Sequence, residues 1–330
     1  MQNTPFLLTR YSLRFAVVWC KYNIENIAAH CGRMEKKMAK QLLGKEVAAA
    51  LNERIKNQAA ELKEKGVNPT LGIIRVGERP DDLSYEKGAT KRCEDLGVEV
   101  KKIVLPEDVT KEELLKVIDQ VNKDDSIHGV LMFRPLPKHL KADQNEIENA
   151  LDPAKDVDGM TDGSMAGVFT GKKLGFPPCT PSACMEILDY YNIDCKGKNA
   201  VVIGRSLVVG KPAAIMLMGK NATVTVCHTR TVNTAEICKR ADIVVSAAGV
   251  LNSLTADFVR PGQIVIDVSI NWDENKINAR GGKGGIAGDA KFDEVEPIVD
   301  AITPVPGGVG AVTTSVLVGH VVEAAARTLK

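Results

Sequence analysis

Aromatic residues and unbalanced charge are both scarce in this sequence. Only 4% of its 330 residues are aromatic, and 43 basic residues stand against 42 acidic ones, a formal charge of +1. Binding of single-stranded nucleic acid relies on stacked aromatic rings and a basic surface, so nucleic acid is not expected as a partner. Apolar runs fall well short of the ~20 residues that span a bilayer, so we expect no membrane association and a cytoplasmic protein.

Paired cysteines are missing as well. The eight cysteines are scattered, without a CxxC pair or a Cys/His cluster at metal-ligand spacing. This pattern indicates free thiols in a reducing compartment and predicts no metal site. The chain does offer 44% hydrophobic residues, and its length favours two domains of ordinary size over one.

The N-terminal segment, residues 1–33, is basic and has no acidic residue before Glu25. Basic leaders that are poor in acidic residues are typical of organelle targeting. Met34 or Met38, however, precedes the first regular helical pattern. We therefore favour an extension outside the fold over a functional transit peptide.

Predicted strands and helices alternate along the rest of the chain. Apolar residues at helical spacing follow Gly44, and PTLGIIRVG, VEVKKIVLP and HGVLMFRPLP are short apolar runs typical of strands, with a helix over 84–96 between the first two. The segment EDVTKEELLKVIDQVNKD predicts a further helix, opened by Thr110 with a Glu three residues later. A linker rich in Gly, Pro and Asp covers 152–181, followed by a helix at about 183–191. Four more apolar strands lie in KNAVVIG, ATVTVCH, ADIVVSAAG and QIVIDVSIN. This alternation predicts two α/β domains with parallel sheets.

The segment KNAVVIGRSLVVGKPAA has the mechanics of a dinucleotide-binding turn. A buried strand ends at Gly204, and a helix begins near Gly210, six residues later, where backbone amides can approach a phosphate. The segment departs from GxGxxG at Ser206. Taken alone, it is therefore equally typical of a glycine turn in any α/β domain.

The end of the next strand favours NADP over NAD. NAD enzymes place an Asp or Glu there for the ribose 2′-hydroxyl, whereas this strand ends in CHTR, residues 227–230. Arg205 in the turn, with Thr229 or Arg230, is suited to a 2′-phosphate, because guanidinium donates paired hydrogen bonds to phosphate oxygens. Alternatively, an arginine at either position is simply exposed to solvent and binds no phosphate. This interpretation suits Arg230 better than Arg205.

Six segments together resemble a known family. PTLGIIRVGERPDDLSY, HGVLMFRPLP, KDVDG, PCTP, GRSLVVGKP and ITPVPGGVG resemble FolD, the bifunctional methylenetetrahydrofolate dehydrogenase/cyclohydrolase, in order and spacing over about residues 40–330. The resemblance implies an α/β folate-binding domain and a Rossmann-like NAD(P)-binding domain, with the active cleft between them. The expected bounds are 1–33 for the extension, 34–181 for the folate-binding domain, 182–306 for the Rossmann domain and 307–330 for a C-terminal helix that returns to the folate-binding domain.

The resemblance also implies an activity and the residues that perform it. The implied reaction is oxidation of 5,10-methylenetetrahydrofolate to the 5,10-methenyl compound, with hydride passing to NADP, followed by hydrolysis to 10-formyltetrahydrofolate. The implied substrate includes the polyglutamylated folate, and the implied enzyme is a homodimer. Tyr85 is expected to stack on the folate, and Asp158 to accept hydrogen bonds from its pterin. Further substrate-binding residues are Pro306, Gly307 and Gly308, and the implied cofactor-binding residues are Gly204, Arg205, Ser206, Gly210, Thr229, Arg230 and Ile270.

The hydrolytic step is where this sequence departs from the family. The family uses a lysine four residues after the tyrosine and a glutamine on the third strand, and this chain has Ala89 and Phe133 there. Lys87 and Lys91 lie roughly 200° and 240° around the helix from Tyr85, so neither faces the same way. These positions predict a dehydrogenase with little or no cyclohydrolase activity.

Three alternatives stay open at this point. In the first, Arg134 or another base replaces the lysine, and the enzyme is fully bifunctional. In the second, the chain is a folate or nucleotide sensor whose catalysis has decayed. In the third, it is an amino-acid or shikimate-type dehydrogenase, which pairs similar domains, although KDVDG and PGGVG count against that interpretation.

Overall fold

The computed structural model of the protein describes residues 38–277 and 281–329. The expected extension over 1–33 and the candidate start at Met34 lie outside these residues. Among the helices in the described ranges, none has the length and apolar character needed to cross a membrane.

The first α/β unit is built on a parallel three-stranded sheet in the order β3-β2-β4. Its strands are β2 (Thr70–Val76), β3 (Glu99–Leu105) and β4 (Gly129–Met132). Its helices are α1 (Gly44–Glu64), α2 (Pro80–Asp95), α3 (Lys111–Lys123) and α4 (Gln144–Asn149). All three strands confirm the sequence prediction.

The helix starts follow from local chemistry. Thr110 and Glu113 form the capping box expected before α3, in which each side chain bonds the other residue's backbone amide. Helix α2 begins at Pro80, four residues before the predicted start at Ser84. Proline at the first helical position has the right backbone angle and no amide to leave unpaired, so the segment RPDD belongs to the helix and not to a loop.

The second α/β unit is built on a parallel six-stranded sheet in the order β1-β11-β8-β7-β5-β6. Its strands are β1 (Lys40–Gln41), β5 (Asn199–Ile203), β6 (Thr223–Cys227), β7 (Ile243–Ser246), β8 (Ile264–Asp267) and β11 (Ala301–Ile302). The helices from the linker onward are α5 (Asp162–Thr170), α6 (Cys179–Tyr190), α7 (Gly210–Gly219), α8 (Thr234–Lys239), α9 (Phe292–Val295) and α10 (Thr313–Arg327). An antiparallel hairpin of β9 (Asn271–Ile277) and β10 (Lys283–Ala287) follows β8.

One hydrophobic core is shared by the two sheets. It contains buried residues of α1, α6 and α10 together with β2 and β5, for example Leu51, Leu188, Val318, Ile73 and Val202. Each sheet has a second, separate core on its other face. The shared core fixes the carboxyl ends of the two sheets relative to each other, and the site residues follow those ends.

The expected domain bounds remain our proposal, with one difference at the level of the sheets. Strand β1 falls inside 34–181, yet it pairs with β11 in the larger sheet, with Lys40 opposite Ala301. Helix α10 contacts α1, α2, β2 and β4, which supports a C-terminal helix that returns to the first unit. Two-residue strands such as β1 and β11 carry no readable period, so sequence reasoning missed them.

Candidate functional site

Tyr85 and Phe133 meet at the carboxyl end of the three-stranded sheet. Tyr85 lies on α2, and Phe133 follows β4 directly, with its amide donating to the carbonyl of Ile74 at 3.1 Å. The two rings form an edge-to-face pair with centroids 5.9 Å apart and an interplanar angle of 85°. Tyr85 is 40% exposed, so part of its side chain is accessible to a ligand.

Asp158 belongs to the same site and is paired with an arginine. Its Oδ2 accepts from Nη2 of Arg134 at 3.0 Å, and its side chain is 24% exposed. Burial raises the pKa of Asp158, whereas the Arg134 guanidinium lowers it. Asp156 is fully buried instead, and its carboxylate accepts from the amides of Met160 and Thr161. Asp156 therefore shapes the turn, and Asp158 is the carboxylate left for a ligand.

Two residues that sequence reasoning did not assign hold the backbone before Asp158. The Cys179 thiol donates to the Val157 carbonyl at 3.4 Å, and His320 Nδ1 lies 2.9 Å from the same oxygen. Burial raises the pKa of Cys179 and lowers that of His320. Helix α6 starts at Cys179, four residues before the predicted start at Ala183, and this places the thiol under the loop. The sequence feature that could have identified Cys179 is the PCTP segment that contains it.

Lysine is absent from the face of α2 that carries Tyr85, within the described residues. Ala89 is only 1% exposed and belongs to the buried side of the helix. Lys87 and Lys91 are exposed, and Lys91 pairs with Asp95 at 3.5 Å. Both lysines are thus exposed, and their direction away from the cleft stays a prediction.

The turn after β5 is packed too tightly for side chains at its two glycines. Gly204 has φ +120°, and a Cβ there would lie 2.2 Å from the Ala247 carbonyl oxygen. A Cβ on Gly210 would lie 2.3 Å from the oxygen of Gly204. Ser206 Oγ accepts from the amides of Val209 and Gly210 at 3.1 and 3.4 Å, so it holds the turn against the start of α7. The glycines thus serve the close approach of helix and strand.

The residues that follow β5 and β6 include two arginines and a threonine. Arg205, Thr229 and Arg230 are exposed. β5 and β6 end side by side, because the Gly204 amide donates to the Cys227 carbonyl at 2.8 Å. No side-chain hydrogen bond or ion pair is formed by Arg205 or Arg230 within the described ranges. This donor set fits the anionic phosphates of a dinucleotide.

A cavity of about 310 Å³ brings two sets of predicted residues together. It is lined by Ile270, which follows β8, and by the loop that contains Pro306, Gly307 and Gly308. Gly307 has φ +107°, and a Cβ there would lie 3.9 Å from Pro304 Cγ, whereas a Cβ on Gly308 would lie 2.6 Å from the Pro304 oxygen. Gly308 therefore serves packing of the loop, and only Gly307 leaves room for close approach of a ligand. Three larger cavities, of about 520, 640 and 810 Å³, contain none of the predicted site residues.

Asp289 organises the loops around this cavity, and sequence reasoning missed it. It is fully buried, and its two oxygens accept from the amides of Ala248, Gly249 and Val250 at 2.7 to 3.2 Å. The side chains of Ser246, Ser269 and Asn271 donate to it as well. Asp267 accepts from the Asp289 amide, and burial raises its pKa to about 6. These loops follow β7 and β8, where a doubly wound sheet binds its ligand.

Metal-ligating side chains do not cluster here: the described ranges contain no group of three His, Cys, Asp or Glu residues arranged for an ion.

Comparison with known proteins identifies the family. The family model described as the catalytic domain of tetrahydrofolate dehydrogenase/cyclohydrolase matches residues 42–158, and the model of its NAD(P)-binding domain matches residues 178–329. A protein of Carboxydothermus hydrogenoformans named bifunctional protein FolD is 53% identical over 287 residues, which cover 87% of this chain and 97% of that protein. A protein of the same name from Clostridium botulinum is 47% identical over 290 residues, or 88% of this chain and 99% of its own.

Solved structures agree with this result. The bifunctional FolD enzyme of Campylobacter jejuni superimposes with a TM-score of 0.81 at 39% identity, over 88% of this chain and 99% of that one. FolD of Trypanosoma brucei, solved with NADP and an inhibitor, gives a TM-score of 0.80 at 32% identity over 89% and 99% of the two chains. The chain therefore belongs to the tetrahydrofolate dehydrogenase/cyclohydrolase family.

Proposed function

We infer that the protein is an NADP-dependent 5,10-methylenetetrahydrofolate dehydrogenase. The observation that carries this conclusion is that Tyr85 and Asp158, which come from distant parts of the sequence, contact two consecutive residues. Tyr85 packs against Phe133 with ring centroids 5.9 Å apart, and the next residue, Arg134, donates to Asp158 at 3.0 Å. A partly exposed aromatic ring beside an acceptor carboxylate suits a flat heterocycle that carries N–H groups, such as a pterin.

The chemistry needs positioning more than proton transfer. Loss of hydride from the methylene carbon leaves a cation that is delocalised over N5 and N10 of the folate, so this step requires no general acid or base. A bound nicotinamide would accept the hydride. The chain's own residues then have two tasks: Asp158 and Tyr85 orient the pterin, and the loops held by Asp289 shape the cofactor side.

The cofactor assignment rests on charge. Arg205 and Arg230 are exposed without partners in the described ranges, and no carboxylate follows β6 to take a ribose hydroxyl. A 2′-phosphate supplies the oxygens that guanidinium groups bind in pairs. NADP is therefore favoured over NAD, and the NADP complex of the Trypanosoma brucei relative supports this choice.

The direct test is incubation of the purified protein with 5,10-methylenetetrahydrofolate and either NADP⁺ or NAD⁺, with methenyl absorbance as the readout. We expect absorbance to grow with both, and faster with NADP⁺. Absence of signal with both cofactors would overturn the dehydrogenase and favour the sensor alternative.

The hydrolytic activity has two candidate answers, each with its own support. The names of the relatives favour full bifunctionality. The site favours a reduced cyclohydrolase, because alanine offers no proton donor and Phe133 closes on Tyr85 with an apolar ring.

Hydrolysis of methenyltetrahydrofolate, followed with and without the protein, decides between them. A rate near the spontaneous one supports the reduced activity. A clear acceleration that disappears in Asp158→Asn supports full bifunctionality at this same site. An acceleration that survives this substitution points to hydrolysis elsewhere on the chain.

Three further expectations follow from family membership and are proposals for this chain. We expect a homodimer, a preference for polyglutamylated folate, and a cytoplasmic location. Light scattering measures the oligomeric state, and cell fractionation checks the location. The KM values for mono- and polyglutamylated substrate show whether the polyglutamylated form is preferred.

A further inference from the structure

Arg134 is the cation at the folate side of the site, and it is held from both ends. Its Nη2 donates to Asp158 at 3.0 Å, and its Nη1 lies 3.9 Å from Oε1 of Glu148 on α4. The same Glu148 oxygen accepts from Gln144 at 2.7 Å. Arg134 and Asp158 are 23% and 24% exposed, and Glu148 is 13% exposed. The pair is thus partly shielded from water, and a second carboxylate lies within ion-pair distance of Arg134.

We propose that Arg134 is a positioning residue for the dehydrogenase reaction, which keeps the Asp158 carboxylate ionised and oriented to accept hydrogen bonds from the pterin. The inference rests on the proposed function and concerns the substrate side of that same site. It assigns Arg134 no contact with the reacting carbon.

The electrostatic surroundings of Asp158 explain why a cation is needed. Burial and the nearby charge of Asp156 both raise the pKa of Asp158, and Arg134 is the cation that lowers it. A protonated carboxyl carries an O–H donor and has lost acceptor capacity, so it would bind the N–H groups of a pterin less well. Hydrogen bonds that involve an ionised group are also roughly twice as strong as neutral ones.

The same chemistry excludes Arg134 as a replacement for the missing lysine. A guanidinium stays protonated in proteins, with a pKa above about 12, so it neither accepts a proton nor releases one near neutral pH. Arg134 therefore acts by charge and direction. The bifunctional alternative needs another base or water for proton transfer.

Several titratable groups from neighbouring elements face the Asp158–Arg134 pair and share its electrostatics. They are Asp156 on the same loop, Tyr85 on α2, Glu148 on α4, Cys179 on α6 and, behind the thiol, His320 on α10. None of these groups places a formal positive charge against the carboxylate, as Arg134 does. Its removal is therefore expected to change the ionisation of Asp158 in a way that none of the others offsets.

The test uses the full chain with Arg134→Gln and Arg134→Lys. For Arg134→Gln we expect kcat/KM for the folate to fall roughly 10- to 100-fold, the range for a hydrogen bond to a charged group, with KM for NADP unchanged. The acid limb of its pH profile should move to higher pH, because loss of the cation raises the pKa of Asp158 further. Arg134→Lys should restore the position of that limb but only part of the affinity, since an ammonium is a point charge.

Arg79→Gln is the matched control. Arg79 is an exposed guanidinium that donates to the carbonyl of Pro135 at 2.9 Å, next to Arg134, without touching Asp158. It should leave the acid limb in place. If Arg134→Gln does not fold, Glu148→Gln removes the second carboxylate beside Arg134. We then expect a higher folate KM, because Arg134 is less well oriented, and an acid limb moved slightly to lower pH, because a negative charge near Asp158 is lost.

The outcomes separate the inference from the function on which it rests. An inactive wild-type protein would refute the proposed function. An active wild type whose Arg134→Gln or Glu148→Gln variant keeps the acid limb and the folate KM would refute the role of Arg134. So would an equal loss of folate and NADP affinity, because that result indicates general loosening of the fold.

Discussion

The two sides of the site treat their carboxylates in opposite ways. On the folate side, Asp158 is partly exposed and balanced by Arg134. On the cofactor side, Asp267 and Asp289 are almost completely buried, and backbone amides and hydroxyls satisfy them. Neither forms an ion pair within the part of the chain that the structure describes.

This difference indicates two functions for the same chemical group. A carboxylate that must bind a ligand has to stay ionised and accessible. A neighbouring cation keeps it ionised and still leaves part of it exposed. A carboxylate that organises loops needs several fixed donors and no access to water. The comparison gives five predictions, from the largest expected effect to the smallest.

Asp158→Asn should break the folate side. It removes the charged acceptor and leaves Arg134 without its main partner, and truncation of such a pair costs about 2–5 kcal/mol. We expect kcat/KM for methylenetetrahydrofolate to fall roughly 100-fold or more, with little change in NADP affinity by titration. Equal losses for both ligands would contradict the separation of the two sides.

Asp267→Asn should reveal the buried carboxylate on the cofactor side. Burial raises the pKa of Asp267 from 3.8 to about 6, so the folded state holds more protons than the unfolded state between these values. The free energy of unfolding therefore falls as pH rises from about 4 to about 6, by on the order of 2–3 kcal/mol. In the variant, the free energy of unfolding measured in urea should change less with pH across this window.

Asp119→Asn, on an exposed face of α3, is the control for that slope. It should leave the pH dependence as in the wild type. An unchanged slope in Asp267→Asn would show that Asp267 titrates normally.

Gly210→Ala should loosen the cofactor turn. The added Cβ would meet the Gly204 carbonyl at 2.3 Å, and overpacking of this kind costs about 1–3 kcal/mol. We expect a lower thermal midpoint and weaker NADP binding. Gly219→Ala at the other end of α7 meets nothing within 4 Å, so it should do neither.

Arg205→Gln should weaken the preference for NADP over NAD. Loss of a charge-assisted hydrogen bond to the 2′-phosphate should lower the ratio of kcat/KM for NADP over NAD roughly 10-fold. Arg230→Gln should lower it less. If neither variant changes the ratio of kcat/KM for NADP over NAD, residues other than these two arginines determine the preference.

Phe133→Leu should give the smallest change. The edge-to-face contact with Tyr85 is worth about 0.5–1.5 kcal/mol, so the folate KM should rise roughly 2- to 10-fold. Tyr190→Leu removes a comparable contact with Tyr191, centroids 5.0 Å apart, and should leave that KM unchanged. Initial rates at varied folate concentration measure both.

Sequence patterns were sufficient where the signal is local. Strands β5 to β8 of the larger sheet, the capping box at Thr110 and the exposure of Lys87 and Lys91 all follow from spacing along the chain. They could be predicted because period and cap depend on residues within a few positions of each other. The departures at Ala89 and Phe133 are likewise visible in the sequence.

Tertiary structure decided the contacts that join distant segments. Sequence alone determined that Asp158 and Arg134 are present, but only the loop held by Cys179 and His320 brings them together at 3.0 Å. The buried role of Asp289 was likewise invisible, because an aspartate between loops has no period. Which side chain a carboxylate meets depends on long-range packing, and no local pattern encodes that distance.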